Sequence, residues 1–200
     1  MQFPAAHDTF RLLPKVVDDF ARLEPERVLA AIPLGLEVSD GFRDITAKTF
    51  AKAVDRLAWF LQKELGRGRR EDVITYLGPS DIRYALVALA AAKADYRSFW
   101  TSPRNSFEAH KSLIAETKCR VFVSPFQIPP GIAPVIREMN LKHLHIPTVE
   151  DLLEENGQVE PFPFDRSYDE ANSDCFTIVH TSGSTGISSR EHTKPELTSW

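Results

Sequence analysis

Between Asp72 and Ile146, short β-prone runs alternate with segments of helical period, and this alternation leaves few folds open. Val73-Ile-Thr-Tyr-Leu77 is β-branched and aromatic, as buried strands are. Ser80 is placed to cap a helix over Asp81–Lys93, in which Ile82, Ala85, Leu86, Leu89 and Ala92 share one face. Tyr96–Trp100 reads as the next strand. Asn105 opens the following helix with Glu108 as its capping partner, leaving Phe107, His110, Leu113 and Ile114 to face a sheet. Arg120-Val-Phe-Val123 is a strand, Ile132–Met139 a short helix and Leu141–Ile146 another strand. A β-α-β-α-β-α-β order returns the chain to the same end of the sheet after each crossover, so the strands run parallel. The predicted fold class is α/β: a doubly wound, mostly parallel sheet with helices on both faces.

Upstream, apolar residues at Phe10, Leu13, Val16, Val17 and Phe20 have helical spacing. Arg27–Leu34 and Phe42–Ile45 are strand candidates, and Ser39-Asp-Gly41 supplies turn chemistry between them. Phe50, Val54, Leu57, Leu61 and Leu65 then mark a long helix that Thr46 caps and Gly66 ends. Downstream, Val149–Glu155 is a helix, and 156–174 is an irregular, acidic surface connection.

The most informative stretch follows. Cys175-Phe-Thr-Ile-Val-His180 is a strand candidate that runs into Thr181-Ser182-Gly183-Ser184-Thr185-Gly186. Gly183 and Gly186 tolerate close backbone approach, so successive N–H groups can converge on an anion. The hydroxyls of Thr181, Ser182, Ser184 and Thr185 add donors. The lysine order of a Walker loop is absent. In a doubly wound sheet ligands bind beyond the carboxyl ends of the strands, which is where this loop falls.

Other groups invite weaker readings. His143 and His145 project from one face of their strand, but no third ligand has supporting spacing. Tyr96, Phe99 and Trp100 read as core packing, while Asp81 and Asp95 read as helix-end residues. His180 lies close to Ser182 and Ser184, yet nearness along a strand is no evidence for a dyad.

A net charge of −4 gives no electrostatic footprint for nucleic acid or an anionic membrane. No apolar run approaches the roughly 20 residues that span a bilayer. The amino terminus lacks a basic start and an apolar core, so no secretory signal is expected. Cys119 and Cys175 both sit in strand-like runs, which suits reduced thiols in a cytoplasmic protein.

His180-Thr-Ser-Gly-Ser-Thr-Gly186 resembles the phosphate-binding signature of the adenylate-forming, AMP-binding enzymes: acyl-CoA synthetases, luciferases and nonribosomal-peptide-synthetase adenylation domains. Tyr76-Leu-Gly-Pro-Ser-Asp81 and Ser102-Pro-Arg-Asn-Ser106 resemble the amino-terminal part of adenylation domains in fungal NRPS-like carboxylic acid reductases. The resemblance runs from about Phe10 to Gly186. It implies ATP with Mg²⁺ as cofactors, a carboxylic acid as substrate and formation of an acyl-adenylate with release of pyrophosphate. It further implies transfer to a thiol, with a phosphopantetheine carrier domain as partner in a full-length parent. Thr181–Gly186 would hold the β- and γ-phosphates.

The family follows this hexapeptide, after one residue, with Pro-Lys, and the lysine reaches back to the phosphates. Here Ile187 is followed by Ser188-Ser189-Arg190, and residues 191–200 show no strand or helix period. The expected organisation is therefore residues 1–186 as the amino-terminal portion of an adenylation domain and 187–200 as an aberrant tail. The expected function is a fragment of an acid-activating enzyme that carries the phosphate loop, is inactive alone, and has no Mg²⁺ site or catalytic residue of its own. The alternatives are a non-catalytic remnant or interaction fragment, and a small independent nucleotide-binding module.

Overall fold

The computed structural model describes residues 11–125, 128, 131–181 and 189–193. Helix α1, Leu13–Leu23, has Pro14 in its first turn, where a missing N–H costs nothing. It leads to a two-stranded antiparallel hairpin of β1, Val28–Pro33, and β2, Phe42–Thr46. Gly41 at the hairpin turn has φ 83°, the left-handed region that favours glycine. Helix α2, Ala47–Leu65, starts where expected. The Thr46 hydroxyl accepts the Thr49 N–H at 3.3 Å, and Gly66 ends the helix, also at φ 83°.

The main sheet then assembles. Strand β3 is Val73–Tyr76, α3 Arg83–Lys93, β4 Arg97–Trp100, α4 Phe107–Thr117, β5 Val121–Ser124, α5 Ala133–Glu138 and β6 Lys142–His145. Two short helices follow, α6 at Val149–Leu152 and α7 at Tyr168–Ala171, before β7 at Thr177–Thr181 and β8 at Ser189–Thr193. The strand order is β6-β5-β3-β4-β7-β8. The first five are parallel, and β8 joins β7 antiparallel.

Alternate strand residues face opposite sides, so two cores form. Ile74, Tyr76 and Val123 join the residues of α2 and α3 in one core. Val73, Phe99, Phe122 and Ile178 join Leu113 and Ile114 of α4 and Val135 of α5 in the other. The sheet is therefore covered on both faces, as the alternation of elements required.

Three local expectations change. Ser80 does not cap α3. Asp81 accepts the Arg83 N–H at 2.9 Å and is gripped by the same residue's guanidinium, with Nη2 at 2.6 Å from Oδ2. A charge-assisted pair of this kind outcompetes a neutral hydroxyl. At α4, Ser106 rather than Asn105 is the cap, accepting the Ala109 N–H at 3.2 Å. Finally, Ser189–Thr193 pairs as a strand despite its lack of periodicity. Within 156–174 the connection is not wholly superficial: Phe162 is buried and its ring packs 4.6 Å from that of Trp59.

A buried charge cluster joins the first three helices. The Lys93 side chain is fully buried, and its Nζ lies 2.6 Å from Asp18 Oδ1 and 2.7 Å from Asp55 Oδ1. Burial raises the Asp55 pKa, and the Lys93 hydrogen bond opposes that rise. Removing one partner of such a cluster leaves an uncompensated buried charge. Asp55→Ala should therefore cost about 3–5 kcal/mol of stability in chemical denaturation. The double variant Asp55→Leu/Lys93→Met should cost less than Asp55→Ala alone, because neither charge is left behind. A harmless Asp55→Ala would show that Asp18 alone satisfies the ammonium.

Candidate functional site

Parallel strands place all their carboxyl ends on one edge, and β4 and β7 lie side by side there. Their join is polar inside an apolar sheet. Ser98 Oγ and Thr177 Oγ1 are both buried and lie 2.8 Å apart. Neither hydroxyl has access to water, so each depends on the other.

Beyond this pair, Trp100, Thr101, Ser102, Val179 and His180 line an open depression. A hydrogen-bond chain runs through it. His180 Nε2 accepts from the Ser102 backbone N–H at 3.2 Å and from Asn105 Nδ2 at 3.3 Å. Asn105 Nδ2 also reaches Thr101 Oγ1 at 3.2 Å, and Thr101 Oγ1 lies 3.0 Å from His110 Nδ1. With two donors facing Nε2, the His180 ring carries its proton on Nδ1. The hydrogen bond between Thr101 Oγ1 and His110 Nδ1 completes the chain. Burial, and to a lesser degree the neighbouring His180 imidazole, pushes the His110 pKa below its ordinary value.

Thr181, the first residue of the expected phosphate loop, ends β7 at this edge. Ser182, Gly183, Ser184, Thr185 and Gly186 lie outside the described residues. His180 is engaged with Ser102 and Asn105 across the β4–β7 boundary, so its chemistry belongs to that clamp. Trp100 only half fits its reading as core. Its ring meets Tyr84 edge-on at 5.6 Å, but Nε1 is a buried donor with no hydrogen-bond partner. The lining of the depression is mixed: Val179 and the Trp100 ring are apolar, while the Ser102 N–H and Thr101 Oγ1 are already engaged in the chain that joins His180, Asn105 and His110. Sequence reasoning missed Asn105 as a member of this site. The available signal was Asn105 and Ser106 side by side, two cap-forming residues where only one is needed.

The remaining candidates are structural. His143 and His145 do share a face, with ring centroids 4.1 Å apart, and His143 Nε2 lies 2.8 Å from Ser124 Oγ. Among the described residues, no group of three His, Cys, Asp or Glu could hold a metal ion. Asp95 pairs with Arg67 at 2.6 Å. Burial pushes the Cys119 thiol up to about 12, and Cys119 and Cys175 are not joined. No helix among the described residues is long and apolar enough to cross a membrane.

The AMP-binding enzyme family profile matches residues 18–187. An isocyanide synthase–NRPS hybrid from Aspergillus fumigatus is 35% identical over 181 residues, which cover 88% of this chain and 12% of that protein. A carboxylic acid reductase from Neurospora crassa is 31% identical over 179 residues, 88% of this chain and 17% of its own. The chain thus spans less than a fifth of the length of either relative. Among solved structures, a Mycobacterium tuberculosis fatty acyl CoA synthetase superposes with TM-score 0.66 at 16% identity, over 92% of this chain and 34% of that one. The O-succinylbenzoate coenzyme A synthetase of Bacillus subtilis, in complex with AMP, gives 0.62 at 14% identity, over 93% and 43%. At these identities the structural likeness speaks for the fold alone.

The neutral state of His110 sets a pH dependence. The unfolded chain protonates this imidazole near 6.5, while the folded chain resists protonation until a lower pH. Stability is therefore complete above that value and is lost as pH falls through it toward the depressed folded pKa. Melting temperature should drop between about pH 7.5 and 5.5, and His110→Asn should flatten the drop. Part of the slope should remain, because His143 is shifted the same way by burial and by His145. An unchanged slope in His110→Asn would place the titrating group elsewhere.

Proposed function

The chain belongs to the AMP-binding enzyme family, and on that premise we propose that it is the phosphate-binding front portion of an ATP-dependent, carboxylic acid-activating enzyme. The observation that carries this reading is the position of Thr181 at the carboxyl end of β7, beside the depression at the end of β4. Thr181–Gly186 then continues from that edge as the loop for the ATP phosphates. Its hydroxyls and backbone N–H groups supply preorganised donors where charge shifts during attack on the α-phosphorus. The parent reaction is carboxylate plus ATP giving acyl-adenylate plus pyrophosphate, with Mg²⁺ and a carrier domain supplied from outside this chain.

The clamp of Ser102, Asn105 and His180 has a part in this reading. It fixes His180, the strand residue before Thr181, against Ser102 and Asn105. Ser189 stands where the family has its lysine, and its backbone pairs with Thr181 in the antiparallel β7–β8 ladder. A serine at this sequence position lacks the lysine's charge, and neutral hydrogen bonds are roughly half as strong as charge-assisted ones. The chain alone binds nucleotide but does not form acyl-adenylate, since no group among the described residues holds the adenine, the metal and the acid together. The cost of that missing positioning is on the order of 7–11 kcal/mol.

Equilibrium dialysis with labelled ATP tests the loop. The purified chain should bind ATP, and Gly183→Val should weaken binding at least about tenfold, or roughly 1.4 kcal/mol. No binding by the unaltered chain would remove the phosphate-loop assignment and favour a non-catalytic remnant. Carboxylate-dependent ATP–pyrophosphate exchange should stay at background across aryl and 2-oxo acids. Exchange that disappears in Gly183→Val would instead reveal a self-sufficient active site.

A further inference from the structure

We propose that His180 is a proton-operated latch at the carboxyl ends of β4 and β7: the neutral ring holds the two ends together, and proton uptake by the ring releases them. The β4–β7 ladder is short. Its register pairs are Ser98 with Thr177 and Phe99 with Ile178. Beyond them the depression of Trp100, Thr101, Ser102, Val179 and His180 opens between the two segments. Two hydrogen bonds cross it to His180 Nε2, one from the Ser102 N–H at 3.2 Å and one from Asn105 Nδ2 at 3.3 Å. Both depend on a single nitrogen atom.

The chemistry of that atom makes the tie conditional. A backbone N–H donates at every pH, so the nitrogen facing Ser102 must offer a lone pair. A neutral imidazole has one such nitrogen, whereas the imidazolium carries a proton on both and accepts nothing. Protonation of His180 therefore sets one N–H against another. The Asn105 amide can turn its oxygen toward the new proton, but the main-chain N–H of Ser102 has no such freedom, so its contact is the one that breaks. Neither Ser102 nor Asn105 is a carboxylate, and the clamp thus contains no counter-ion for a charged ring.

The other groups around His180 that titrate or carry charge come from three segments. His110 of α4 lies at the far end of the chain through Asn105 and Thr101, and burial together with His180 shifts it toward its neutral form. Arg104 follows Ser102, whose hydroxyl accepts the Arg104 N–H at 3.2 Å. On β8, Arg190 is the register partner of His180, while Glu191 and His192 pair with Val179 and Ile178. An imidazole ordinarily changes charge between about pH 5 and 8, which is the range in which the latch operates.

The test is a titration of the 200-residue chain from about pH 8 to 5, read by ¹⁵N NMR at the His180 ring nitrogens and at the Ser102 amide. No nucleotide is added, so the outcome does not depend on the phosphate-loop assignment. At the alkaline end Nε2 should give the signal of an unprotonated nitrogen. As the ring titrates, hydrogen exchange at the Ser102 amide, corrected for its intrinsic pH dependence, should accelerate at least about tenfold with the same midpoint. Amides of β3 such as Ile74 should stay protected throughout, because the opening is local. His180→Gln puts an amide oxygen near the position of Nε2, and it should keep Ser102 protected across the whole range. Asn105→Asp sets a carboxylate beside Nε2 and should raise the ring midpoint by about one unit or more. His110→Asn should leave the Ser102 transition in place, which separates the latch from the stability change that His110 causes. The proposal falls if Nε2 is protonated at the alkaline end, or if Ser102 exchange does not follow the ring. It falls equally if the Ser102 transition survives in His180→Gln, disappears in His110→Asn or coincides with exposure of Ile74, or if Asn105→Asp leaves the midpoint where it was.

Discussion

The pairing of β4 with β7 is the contact on which the rest of this structure depends. The partners Ser98 and Thr177 are separated by 79 positions along the chain, and their hydroxyls meet at 2.8 Å with no access to water. A lone buried hydroxyl would be a liability, whereas two in register satisfy each other. The pairing also sets which residues meet further along. Phe99 stands opposite Ile178, and two positions on, His180 comes within reach of Ser102 and Asn105. Without that register, the strand end bearing Thr181 would have no fixed neighbour.

The two edges of the same sheet are chemically different. The carboxyl edge carries the chain of Ser102, His180, Asn105, Thr101 and His110, in which each group is engaged with the next. The amino edge carries guanidinium groups beside an apolar wall, with nearby carboxylates already paired.

Rigidity between the edges comes from the helices. The Lys93 cluster ties α1, α2 and α3 through one ammonium, and their apolar faces cover one side of the sheet. Gly78 shows how close the packing is at the carboxyl edge: a Cβ at this position would lie 2.2 Å from the Tyr76 hydroxyl. Only glycine lets the chain pass over that ring.

What the amino-acid sequence determined by itself is the part governed by short-range periodicity. The strand and helix order, the Thr46 and Gly66 ends of α2, and the strand before Thr181 all rest on neighbours within one or two turns of chain. The α/β class follows from them, because alternating elements leave only a parallel sheet. Tertiary structure alone decided the rest. Asn105 and Ser106 are equally good caps in isolation, and it was contact with His180 and Thr101 that drew Asn105 into the site. Ser189–Thr193 has no alternation to read, since an edge strand can be held by backbone hydrogen bonds with no apolar face to bury.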